Sequence, residues 1–233
     1  MGISIQLIKG GRKLDQNENQ ETKTTMPRIG DPAPQFSAAT SQGNINLEDY
    51  KGKWLVLFSH PSDFTPVCTT EFVGLQEIYP ELKELNTELL GLSVDSVPSH
   101  IAWIRSIEEN FDTKIEFPVI ADLDKQVAMK YGMIMPGESQ VETSRAVFVI
   151  DDKQIIRSII YYPLTTGRNM QEILRLVKAL QTTDKHGVAT PANWTEGEKA
   201  VVPPPKSQEE AAKRAQEEGI EYIDWYISKK DVK

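Results

Sequence analysis

Trp54-Leu55-Val56-Leu57-Phe58-Ser59-His60-Pro61-Ser62-Asp63-Phe64-Thr65-Pro66-Val67-Cys68-Thr69-Thr70-Glu71 holds the chain's one cysteine. It opens on five apolar residues, the pattern of a strand buried on both faces. Thr65 then fits a helix N-cap and Pro66 the first helical position. A helix is predicted from about residue 66, with Cys68 in its first turn. Unpaired backbone N–H groups and the positive end of the helix dipole favour an anion there, and so the thiolate, which is the nucleophile. A lone cysteine is also at home as a small buried hydrophobe, and position alone leaves both readings open. The spacing of Pro61, Thr65 and Cys68, P-x-x-x-T-x-x-C, favours a reactive centre. It sets the threonine hydroxyl one helical turn before the sulfur, within reach of whatever the sulfur attacks.

Outward from this stretch, further apolar runs predict strands at 89–94, 117–120, 146–150 and 155–162. Only residues 151–154 separate the last two, which reads as an antiparallel hairpin. Apolar residues at helical spacing fall between them: Phe72, Leu75, Ile78, Leu82 and Leu85, with a kink or break expected at Pro80; Ile101, Ile104, Ile107 and Phe111; Met170, Ile173, Leu174, Val177 and Leu180. The alternation predicts an α/β fold, a mixed sheet covered by helices. Residues 1–25 read as a poorly ordered extension, and Met26 is a possible alternative start. Residues 183–198 read as a polar loop and Val201-Val202-Pro203-Pro204-Pro205 as an extended linker. Ser207 with Glu210 reads as a capping box, opening a short helix that Gly219 ends. The cluster Ile220, Tyr222, Ile223, Trp225, Tyr226 and Ile227 should dock either on the main domain or on a second copy.

The 233 residues are 39% hydrophobic and 26% charged, an ordinary globular composition. The net charge of −8 disfavours nucleic acid and anionic lipid as partners. No apolar run approaches a membrane span and no secretory h-region opens the chain. One cysteine excludes an intrachain disulfide, and with three histidines it offers no zinc-like spacing, so no metal is expected.

The motif from Ser59 to Glu71 resembles the active site of the peroxiredoxins, thiol peroxidases with a thioredoxin-like fold, and in particular their one-cysteine (peroxiredoxin-6) subfamily, including archaeal members. Co-linear segments extend the likeness: Gly91 to Val97 with His100 and Trp103, Arg145 before Val147-Phe148-Val149, Tyr161-Tyr162-Pro163, Thr165 to Asn169, Thr190 to Trp194, and the Val-Val-Pro-Pro-Pro run. The resemblance covers about residues 27–227. It implies a thioredoxin-like domain over 26–184 and a C-terminal arm over 185–233 that crosses to a partner in a homodimer, with rings of dimers also open.

By the same resemblance, Cys68 is the peroxidatic cysteine, whose thiolate becomes a sulfenic acid on reducing hydrogen peroxide or an organic hydroperoxide. Thr65 and the Cys68 backbone N–H would hold the peroxide, Arg145 would stand beside the sulfur, and Pro61 would shield it. Glu71 and Arg168 would orient Arg145, and Val67 belongs to the same surroundings. His60 either tunes the thiolate or is a satisfied neutral histidine. No resolving cysteine is present, so an external thiol (a thioredoxin-like protein, glutathione or a small dithiol) must reduce the sulfenic acid, with no bound cofactor. The lone thiol implies a reducing, cytoplasmic setting. The phospholipase motif G-x-S-x-G of mammalian members is absent, Ser41-Gln42-Gly43-Asn44 standing in its place, and that activity is not carried over. Two other readings stand beside this one. A cysteine hydrolase or acyltransferase would need a positioned histidine from His60, His100 or His186. A non-catalytic redox sensor or chaperone would be oxidised once without turnover.

Overall fold

The computed structural model describes residues 26–232, so the expectation for residues 1–25 lies outside the described residues. A hairpin opens the described chain, β1 (Ser37–Thr40) and β2 (Gly43–Asn46). Then follow β3 (Trp54–Ser59), α1 (Pro66–Glu84), β4 (Thr87–Ser93), α2 (Val97–Phe111), β5 (Val119–Ala121) and α3 (Gln126–Lys130). The main body closes with β6 (Arg145–Ile150), β7 (Ile156–Tyr162) and α4 (Met170–His186). Seven strands make one sheet in the order β2-β1-β5-β4-β3-β6-β7. Strands β3, β4 and β5 are parallel; β6, β7 and the β1–β2 hairpin run antiparallel to their neighbours. This is the mixed α/β sheet expected.

Alternation along the central strands splits the core in two. Val56, Phe58, Val147 and Val149 face α1, α2 and α4, against Phe72, Leu75, Trp103, Ile107, Ile173 and Val177. Leu55, Leu57, Ala146, Phe148 and Ile150 face the other way, against Phe36, Leu47, Val127, Tyr131 and Met133. All six residues of β3 and of β6 are buried, as continuous apolar runs require. Each fully buried Leu or Phe contributes about 1.5–3 kcal/mol of transfer free energy to this packing.

Several local expectations are corrected. Pro80 does not break α1, which runs on to Glu84. The β1–β2 hairpin and α3 are too short for periodicity to reveal. Helix α4 extends to His186 and ends at Gly187, in a left-handed conformation (φ 60), so residues 183–186 are helical rather than loop. Val201, expected to open the linker, instead ends a two-residue strand, β8 (Ala200–Val201). After α5 (Gln208–Lys213) and a short 3-10 turn at Arg214–Gln216, the helix stops before Gly219. Gly219 instead turns the chain at φ 77 into β9 (Ile220–Asp224), and β10 (Ile227–Lys230) follows. A separate three-stranded sheet, β8-β10-β9, results. Tyr222, Ile223, Trp225 and Tyr226 are 43–56% exposed, so about half of their surface is left uncovered within the chain.

Topology decides where chemistry can gather. Parallel β3 and β4 end at one edge of the sheet. Because β6 runs antiparallel to β3, pairing Val147 with Phe58, its first residue Arg145 lies at that same edge. The loop after β3 leads straight into α1.

Candidate active site

Cys68 is buried on the inner face of the first turn of α1, one turn before Glu71. Thr65 is the N-cap residue by its backbone, φ −103 and ψ 146, but its hydroxyl does not cap the helix. It turns back and donates to the Ser62 carbonyl at 2.9 Å. The cap expected of Thr65 is therefore corrected. With no side chain capping this end, the N–H groups of Val67 and Cys68 stay available to an oxygen brought to the sulfur. Pro66 takes the first helical position as expected. Pro61 is buried in the loop before it. Val67 packs against Gly167, where an added Cβ would stand 3.4 Å from its Cγ1.

Arg145 reaches this turn from β6. Its Nη1 donates to Cys68 Sγ at 3.3 Å and to Glu71 Oε2 at 2.7 Å. Its Nε and Nη2 both donate to the Leu164 carbonyl, at 3.0 and 2.8 Å. The guanidinium is thus fixed from both ends of its fork. Arg168 holds the other side of Glu71: its backbone N–H and Nε donate to Oε1 at 2.9 Å each, and Nη2 to Oε2 at 2.7 Å. Its Nη1 donates to the carbonyls of Ser59 and Ala146. Burial pushes the Glu71 carboxyl up, but Arg168 and Arg145 more than reverse this and hold it below its ordinary value. Two cations share one carboxylate, leaving a net positive charge beside the sulfur.

His60 is buried and its ring does not hydrogen-bond the sulfur. Nε2 bonds Asp63 Oδ1 at 2.9 Å, while Nδ1 has no hydrogen-bond partner among the described residues. Burial lowers the His60 pKa by more than Asp63 raises it, so the ring is neutral. It packs edge-on to Phe72 and against Trp103. The histidines are not all scattered, since His100 joins the same cluster. Its Nδ1 lies 2.8 Å from Asp63 Oδ2 and its Nε2 3.1 Å from the Ile120 carbonyl. Among the described residues, His60, Asp63 and His100 form the group whose ligand atoms come close enough to suggest a metal. Tetrahedral zinc with bonds of about 2.0–2.1 Å would hold its ligand atoms roughly 3.3 Å apart. The separations of 2.8 and 2.9 Å are those of hydrogen bonds, and protons fill the gaps instead. With both of these histidines committed to Asp63, neither is placed as a base for a hydrolase.

This chain matches the AhpC/TSA family over residues 29–159 and the C-terminal domain of 1-Cys peroxiredoxin over residues 179–218. The chain belongs to the peroxiredoxins. It is 56% identical to a peroxiredoxin of Aquifex aeolicus over 219 residues, covering 89% of this chain and 98% of that one. It is 54% identical to a peroxiredoxin of Methanosarcina mazei over 216 residues, covering 88% and 99%. Among solved structures, the yeast mitochondrial 1-Cys peroxiredoxin, whose thiol resolving mechanism via glutathione/thioredoxin systems that structure concerns, superposes with a TM-score of 0.79 at 42% identity, covering 88% of this chain and all of that one. A cysteine-to-serine mutant of the peroxiredoxin 6 of Arenicola marina gives 0.80 at 35% identity, covering 89% and 99%. The protein is accordingly a single-cysteine thiol peroxidase on a thioredoxin-like peroxiredoxin fold. The comparisons favour the peroxidase reading over the hydrolase and sensor readings.

Two parts of the site were not expected from sequence. The Leu164 carbonyl that seats the Arg145 fork is a backbone group and leaves no side-chain signal. Asp63 stood inside the quoted motif without a role, and its partner His100 lies 37 residues away.

Proposed function

We propose that Cys68 is the peroxidatic thiol and that Arg145, held by Glu71 and Arg168, keeps it as a thiolate and receives the peroxide. The observation that carries this is the Arg145 Nη1 contact shared between Cys68 Sγ (3.3 Å) and Glu71 (2.7 Å). The thiolate attacks the terminal peroxide oxygen. An S–O bond forms, the O–O bond breaks, and the leaving oxygen departs as water or alcohol after taking a proton, leaving Cys68–SOH. The guanidinium and the first-turn N–H groups stabilise the negative charge spread along sulfur and oxygens. Thr65, whose hydroxyl proton goes to Ser62, offers its lone pairs to the O–H of the incoming peroxide. Pro61 excludes water, and Val67 against Gly167 closes the side of the turn.

An external thiol then attacks the sulfenic sulfur, releasing water and forming a mixed disulfide. A second thiol reduces that to free Cys68 and a new disulfide. The yeast relative's link to glutathione and thioredoxin supports such a donor. An apolar groove lined by Phe64, Pro66, Trp103, Ile107 and Phe111 runs beside Thr65, and suits the tail of an organic hydroperoxide. A division into a peroxidase unit and an arm is supported by the separate β8-β10-β9 sheet, with the break at Gly187 rather than at 184/185, which lies inside α4. The arm's exposed aromatic cluster supports a homodimer in which it docks on a second copy. Among the described residues no helix is long and apolar enough to cross a membrane, and the lone thiol suits a reducing, cytoplasmic setting.

Peroxide consumption with excess dithiothreitol, in wild type, Cys68→Ser and Thr65→Val, tests the assignment. Turnover is expected to vanish in the first variant and drop sharply in the second. Consumption unchanged in both would refute it.

A further inference from the structure

Between Ser59 and Pro66 the chain leaves β3, turns, and delivers Thr65 as the residue before α1. It passes through a strained residue. Phe64 sits at φ +56 with 60% of its surface exposed, a left-handed backbone that a bulky residue adopts only when its surroundings impose it. The imposing grip is on the residue before it. The Asp63 N–H donates to Asp95 Oδ2 at 3.0 Å, and that carboxylate is itself fixed by the Ser93 hydroxyl at 2.7 Å. Asp63 Oδ1 bonds His60 Nε2, and both Asp63 oxygens face His100 Nδ1, at 3.1 and 2.8 Å. His100 stands on α2, and its Nε2 faces the Ile120 carbonyl of β5 at 3.1 Å. His60, Asp63 and His100 are all buried.

Both ring nitrogens of His100 face acceptors. Nδ1 is paired with the Asp63 carboxylate, and a bond to an ionised acceptor is stronger than a neutral one. His60 supplies a second, neutral donor to the same carboxylate. The charge network around Arg145 comes from α1, β6 and the segment before α4, whereas this cluster reaches the loop from α2 and β5.

We propose that His100, clamped between Asp63 and the Ile120 carbonyl, is a positioning residue for peroxide reduction. It holds Asp63, and through it the strained Phe64, so that Thr65 meets the peroxide in line with Cys68. Without His100 the Asp63 carboxylate keeps only the His60 donor on its side chain. Phe64 then relaxes out of the left-handed region and Thr65 swings from its place. The thiolate, held by Arg145, is left intact. The inference rests on Cys68 being the attacking thiol.

Two rates measured on one preparation separate positioning from collapse: peroxide reduction and alkylation of Cys68 by iodoacetamide, which needs the thiolate but not Thr65. In His100→Gln and Asp63→Asn the second-order rate constant with peroxide is expected to fall about 10- to 100-fold, the scale of a misplaced reacting group. Alkylation should stay within about 2-fold of wild type. The double variant should fall no further than the worse single one, because the two residues act as a unit. A peroxide rate within about 2-fold of wild type in His100→Gln, or both rates falling together, would overturn the proposal. Nitrogen NMR of the wild-type imidazoles provides a check that needs no variant. A proton shared with Asp63 is expected on His100 Nδ1, and one on Nε2 of His60; a His100 with no proton on Nδ1 would overturn the clamp. Peroxide consumption surviving in Cys68→Ser would overturn the thiol assignment itself, and is read on a different protein.

Discussion

At the residue scale the site turns on one carboxylate shared by two guanidiniums. Arg145→Lys keeps the charge but loses the fork that spans Cys68, Glu71 and the Leu164 carbonyl. Loss of one such aimed donor costs about 10²- to 10³-fold, and stopped-flow peroxide kinetics should show a fall of that order. Glu71→Gln leaves two buried cations without their anion. Removing one member of a buried pair costs about 3–5 kcal/mol, which a urea titration would read. Acid sensitivity follows from three groups whose folded pKa values are depressed. Burial holds His60 below its ordinary 6.5. Burial pushes Asp63 up from 3.8 and Glu71 up from 4.5, but hydrogen bonds from His100 and His60 in the first case, and the arginines in the second, carry both below those values. In each case the unfolded chain binds the proton more readily, so the stabilisation is present above the unfolded pKa and lost as pH falls. The urea midpoint should therefore drop in two stages, first below pH 6.5 from His60 and then below the ordinary carboxylate values. His60→Gln should remove the first stage, and an unchanged upper slope would contradict this.

At the element scale, α1 connects chemistry to core. The face that buries Cys68 and Glu71 continues through Phe72 and Leu75, and Phe72 packs against Phe58, Phe117, Trp103 and His60. Phe72→Ala should cost about 3–5 kcal/mol in urea unfolding. Lys178, by contrast, bridges Glu81 and Glu196, whose side chains are about half exposed or more. Its replacement by Ala should cost under about 1 kcal/mol despite two ion pairs. The apolar runs that made β3, β4 and β6 legible in sequence are those buried in the centre of the sheet, whereas β7, an edge strand, was legible through its apolar run and its short link to β6. What sequence missed was short or locally ambiguous. Strands β1 and β2, at one edge, have four residues each, too few to show a period. Proline at position 80 argues for a break, yet the packed face of α1 carries the helix past it. Motif spacing brought Pro61, Thr65 and Cys68 into view, and the family resemblance added Arg145, Glu71 and Arg168. It could not reveal that Thr65 bonds Ser62 rather than capping α1, nor that Asp63 and His100 join, because side-chain rotation and contacts between distant elements leave no local pattern.

At the scale of the whole molecule, a seven-stranded sheet places β3, β4 and β6 so that their ends meet at one edge, and a small second sheet carries exposed aromatics outward. If that arm docks on a second copy, Trp225→Asp should weaken self-association. Sedimentation at a series of concentrations should then show a shift toward monomer, and an unchanged distribution would assign the patch elsewhere. The same edge and the single cysteine yield the central claim, that Cys68 alone carries the oxidising equivalent. Intact-mass spectrometry after one equivalent of hydrogen peroxide tests it most directly. A single-oxygen adduct mapping to Cys68, formed rapidly, reversed by thiol and absent in Cys68→Ser, is the expected result. An adduct elsewhere, or one that thiol does not reverse, would contradict it.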